Sequence, residues 1–99
     1  MPLFILNARD KAGALDLRMA NRPAHLEWAS QYADKICMAG PVFATDGETF
    51  AGSVFVLEME SLAEVEAWAA EDPYTKAGLF ETVEIKHFAW LIGNGPKTE

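Results

Sequence analysis

Residues 36–69, ICMAGPVFATDGETFAGSVFVLEMESLAEVEAWA, decide the fold. Two apolar runs, 36–45 and 49–60, flank Asp46-Gly47, a dipeptide that favours the tight turn of a β-hairpin. In the second run Phe55, Leu57 and Met59 alternate with Val54 and Val56, so both faces of that strand are apolar. Ser61 and Glu64 then match a capping box, and Leu62, Val65, Trp68 and Ala69 follow at helical spacing. The stretch predicts strand, strand, helix.

Working outward, residues 3–8 (LFILNA) predict a buried first strand. Asp16 is placed to cap a helix after Gly13, and Leu26, Ala29, Ala33 and Ile36 recur at steps of three and four as an apolar stripe. Pro23 interrupts this segment. Either one helix ends near Asn21 and a second starts at Pro23, or one long helix kinks there. Beyond residue 69 the helix stops at Asp72-Pro73, a turn runs to Gly78, and residues 80–92 predict the last strand. The order is β-α-β-β-α-β, the ferredoxin-like pattern of a four-stranded antiparallel sheet with both helices on one face. Its other face is also apolar and needs a cover. A second copy would supply one and close a dimeric α+β barrel.

The chain reads as a single domain over 1–99. It has no linker or repeat, and residues 93–99 are expected to fray. Eight basic against fifteen acidic residues give a net charge of −7, concentrated after residue 50, which argues against nucleic acid as a partner. No apolar run approaches the ~18–20 residues that span a bilayer, and the start lacks the basic region of a signal peptide. Cys37 is the sole cysteine, so no internal disulfide forms, which fits a cytoplasmic protein; one Cys and two His leave no zinc cluster. Gly93-x-Gly95 is too short for a dinucleotide loop, so no cofactor is expected. Eleven aromatic residues, Trp28, Trp68 and Trp90 among them, exceed what one small core easily hides, in keeping with a homodimer.

Few residues can carry chemistry. His25, Arg22 and Arg18 lie at offsets of three, four and seven, one helix face if the helix survives Pro23. Cations beside an imidazole favour its neutral form, which suits a base. The alternative is a half-exposed histidine among solvated arginines. Asp72 before Pro73 either caps the next turn or accepts a histidine ring N–H. Ser53 follows Gly52, where a ligand can approach the strand closely, but lacks a nucleophile elbow. His87 reads as a structural or interface residue, Cys37 as a small core hydrophobe, and Trp28 with Tyr32 as a packing pair.

His25-Leu26, Gly40-Pro41, Gly52-Ser53, and Asp72-Pro73-Tyr74 with Ala77-Gly78-Leu79 resemble the YciI-like family in order and spacing, over about residues 2–90. The resemblance implies a dimeric α+β barrel similar to muconolactone isomerase-like proteins, in a family that includes chloromuconolactone dehalogenase-type members. It implies a His–Asp pair in a cleft, here His25 and Asp72, with Ser53 lining that cleft. Many relatives carry proline where this chain has His87, which sets His87 apart from any family-wide catalytic role. Arg18 and Arg22 are candidate substrate-binding residues by their spacing. The expected function is a cofactor-free proton-transfer enzyme acting on a small lactone or enol-like acid, by isomerisation or elimination. The competing readings are a non-catalytic metabolite-binding protein and a cofactor-free monooxygenase, because one fold carries many functions.

Overall fold

The computed structural model describes residues 2–94. The elements are β1 (Leu3–Asp10), α1 (Leu15–Ser30), β2 (Ile36–Phe43), β3 (Phe50–Glu58), α2 (Leu62–Ala70), α3 (Pro73–Lys76) and β4 (Phe80–Phe88). The sheet order is β2-β3-β1-β4 with every neighbouring pair antiparallel, the ferredoxin-like α+β arrangement. The expected strands at 36–45, 49–60 and 80–92 are each shorter in the structure, because the hairpin turn takes Ala44–Thr49 and regular pairing ends at Phe88. In that turn Asp46 accepts the Glu48 and Thr49 amides and the Thr49 hydroxyl, and these bonds lower its carboxyl to about 2. Of the expected frayed tail 93–99, residues 95–99 lie outside the described residues.

Cross-strand register sorts the sheet's two faces. Phe4, Leu6 and Ala8 of β1 pair with Leu57, Phe55 and Ser53 of β3, and this face carries the core. Val65, Trp68 and Ala69 of α2 pack onto it. The opposite face has an apolar part, with Leu3, Ile5, Val42 and Val54, and a polar part, with Asn7, Arg9, Thr82 and Glu84. The expectation of an apolar second face therefore holds for only part of it.

Helix α1 takes the single-helix alternative at Pro23 and departs from expectation in two other ways. It runs unbroken through Pro23. Proline removes the amide that would bond the Met19 carbonyl, but residues 19 and 23 are exposed and water can satisfy that oxygen. Asp16 lies in the first turn and does not cap it; Ala14 holds the cap position without a side-chain bond. The predicted apolar stripe is not the buried one. Leu26 is 48% exposed, and the helix ends before Ala33 and Ile36. The inward face is instead Arg18, His25 and Trp28, with Tyr32 packed on the core just past the helix end. Two polar residues displace aliphatic ones inside because each finds buried partners.

Cys37 is half-buried at a register shift of β2 rather than in the core, and burial, then Glu58, push its thiol up. His87 is exposed and rests its ring on Phe4, centroids 4.9 Å apart. Trp28 and Tyr32 do pack together, and Trp28 stacks on Trp68. Gly52 sits where β1 comes close: a Cβ there would run into the Ala8 carbonyl oxygen. Any side chain would push the strands apart beside Ser53.

Candidate active site

Asp72 ends the α2 connection and caps α3, with Pro73 in the first helical position. Its Oδ1 accepts the Tyr74 amide at 2.9 Å, and the same oxygen lies 2.8 Å from His25 Nδ1. Capping and ring orientation are thus combined in one atom. A carboxylate only accepts, so Nδ1 carries the proton, and in the neutral imidazole the lone pair is then on Nε2. The Tyr74 ring stacks on the imidazole with centroids 4.0 Å apart and planes within 14°. Phe55 and Trp28 approach it from other sides. Bond and stack together fix both the position and the plane of the ring.

A second polar set stands beside the first. Arg18, 4% exposed, gives Nη1 to both carboxylate oxygens of Asp10 at 3.0 and 2.9 Å, and Nη2 to Ser53 Oγ at 2.9 Å. An arginine donates only, so Ser53 must accept from it. The Ser53 hydroxyl proton is then free for another acceptor. The Arg18 guanidinium also lies over the Tyr74 ring, 4.8 Å from its centroid, and over Phe50 at 5.2 Å.

Between α1, β2 and β3 lies a cavity of about 130 Å³. Arg18, Arg22, His25 and Ser53 line it, and so does Tyr74; Asp72 stands behind the imidazole and does not. The remaining wall comes from Leu26 and Ala29 of α1, Ala39, Gly40 and Pro41 of β2, and Phe50 and Phe55 of β3. Arg22 is exposed at this wall and has no ion-pair partner among the described residues. Burial raises the Tyr74 phenol, opposed by the charges of Arg18 and Arg22 and assisted by Asp72 and Asp10. Among the described residues no three His, Cys, Asp or Glu side chains converge as a metal would require.

Asp10 and Tyr74 belong to the site and were given no role by their sequence context. Asp10 continues the inward face of Phe4, Leu6 and Ala8 by one more period, so strand alternation carried past residue 8 would have found it. Tyr74 was visible only as a neighbour of Asp72-Pro73.

A ferredoxin-like chain that holds a buried imidazole–carboxylate pair against a small cavity defines the class. The YCII-related domain matches residues 2–89, and the chain belongs to that family. Protein YciI of Escherichia coli O6:H1 is 40% identical, over 87% of this chain and 95% of that protein. An uncharacterized protein of Haemophilus influenzae is 34% identical, over 86% and 94%. Among solved structures, the 5-chloro-2-hydroxyhydroquinone dehydrochlorinase TftG of Burkholderia phenoliruptrix AC1100, in complex with 2,5-dihydroxybenzoquinone, is 35% identical with a TM-score of 0.80, covering 92% of this chain and 95% of that one. An antibiotic biosynthesis monooxygenase shares the fold alone, at 14% identity and a TM-score of 0.55, covering 93% and 100%. No helix among the described residues is long and apolar enough to cross a membrane.

Proposed function

We propose that this protein is a cofactor-independent enzyme in which His25 removes a proton from a small lactone or enol-like acid. The observation that carries the proposal is the 2.8 Å contact of His25 Nδ1 with Asp72 beside the cavity. Nε2 takes the proton, and the bonding pair passes into an enolate. Asp72 stabilises the imidazolium that results. The Ser53 hydroxyl, made a donor by Arg18, stabilises the developing oxyanion. In elimination the electron pair then expels a leaving group such as chloride from the adjacent carbon. In isomerisation Nε2 returns the proton to a different carbon.

Likeness to a dehydrochlorinase at 35% identity over nearly the whole chain favours elimination of hydrogen chloride. Likeness to the monooxygenase extends only to the fold and lends no support to oxygen chemistry. The same reading takes the chain as one domain acting as a cytoplasmic homodimer. Its apolar patch at Leu3, Ile5, Val42 and Val54 supports a second copy as the cover.

The test is chloride release from 5-chloro-2-hydroxyhydroquinone, together with deuterium uptake from D2O by enolisable lactones and 2-oxo acids. Catalysed release or exchange is expected. Binding of these compounds without either reaction would make the protein a carrier instead.

A further inference from the structure

We propose that Arg22 is the specificity-determining residue of the cavity and selects a small planar ligand bearing one negative charge. The inference rests on the cavity being the ligand site, but not on His25 acting as a base.

The chain carries a net −7, yet no carboxylate lines this cavity. The basic groups in the wall are Arg18, Arg22 and His25. These three differ in what they have left to give. Arg18 is neutralised by both oxygens of Asp10 and further committed to Ser53. Its Nε bonds to none of the described residues but is buried away from any ligand, and its charge is compensated by Asp10. His25 is matched by Asp72 behind it. Arg22 alone among these three has no anionic partner among the described residues. Its charge reaches into the site, since it acts on the phenol of Tyr74. One uncompensated cation matches one anionic group. A second anionic group on the ligand would find no free cation.

Shape supplies the rest. The ring faces of Phe50, Phe55 and Tyr74, with Pro41, Ala39 and Leu26, make a wall that suits a flat apolar body. Arg22 stands on the exposed side of α1, so it meets the charged end of a ligand at the rim while the apolar body enters.

Calorimetric titration with benzoate, benzamide and phthalate at low salt tests this. These probes share a ring and differ in charge. Benzoate is expected to bind ~10-fold or more tightly than benzamide, the scale of a charge-assisted over a neutral hydrogen bond. Phthalate is expected to bind no better than benzoate. In Arg22→Gln the benzoate affinity should fall to that of benzamide, and Arg22→Lys should restore most of it. His25→Gln should keep the preference for benzoate, which separates this inference from the assignment of the base. Equal binding of benzoate and benzamide by the unaltered protein, no binding of benzoate, tighter binding of phthalate, or a preference that survives Arg22→Gln would each overturn it.

Discussion

Replacing His25 with glutamine is expected to lower turnover by ~10²–10⁴-fold, the usual contribution of a positioned general base. Glutamine has nearly the reach of the imidazole, and its amide can still donate to Asp72. The fold should therefore survive, with an unchanged urea midpoint and circular dichroism spectrum. Nε2 is lost as a proton acceptor, and no other neutral nitrogen base lines the cavity. The rate is to be measured as chloride release or deuterium uptake, whichever the unaltered protein catalyses. Asp72→Asn is the companion variant. Asparagine keeps an oxygen for the Tyr74 amide, so α3 stays capped. The same oxygen still accepts from His25 Nδ1, but the charge that stabilises the imidazolium is gone, so the rate should fall with little loss of stability. Full activity in His25→Gln would mean that another group takes the proton.

The largest effect on stability is expected at Asp10. Arg18 and Asp10 are both almost wholly buried, with side chains 4% and 7% exposed. Removing one partner of such a pair leaves a charge without compensation, which costs about 3–5 kcal/mol. Small domains have only ~5–15 kcal/mol in total, so Asp10→Ala should bring this chain near the limit of folding. The cost comes from the stranded guanidinium and not from the lost attraction as such. The double variant Asp10→Ala with Arg18→Met removes both charges and should recover most of the loss. Urea denaturation of the single and double variants measures the difference. If the double variant is no more stable than Asp10→Ala, the penalty lies elsewhere, in the packing of Arg18 under Phe50 and Tyr74.

The order of elements was legible because each carries a local signal. Asp46-Gly47 makes its turn, Ser61 accepts the Glu64 amide, and period-two and helical spacing mark the segments between. The inward face of α1 was not legible from apolar spacing. Leu26 belongs to the cavity rim, and the buried positions go to Arg18 and His25, whose partners lie 8, 35 and 47 residues away. Pro23 carried an ambiguous signal. It breaks a helix when the carbonyl it orphans is buried, and here that carbonyl is on the wet side. At the site, helical arithmetic sufficed to bring Arg18, Arg22 and His25 together once the helix was continuous. The approach of Asp72 came from family resemblance. Asp10 came from neither, because the apolar signal of the first strand ends at Ala8 and Asp10 lies one period further along the same face.

In the proposed mechanism Asp72 holds the proton of a neutral His25 on Nδ1, so that Nε2 faces the substrate as a base. Long-range nitrogen–proton correlation spectra of the His25 ring report this directly and need no substrate. A protonated Nδ1 and a bare Nε2 are expected, a preference lost in Asp72→Ala, which leaves no side-chain oxygen at that position. A proton on Nε2, or the same tautomer in Asp72→Ala, would contradict that mechanism.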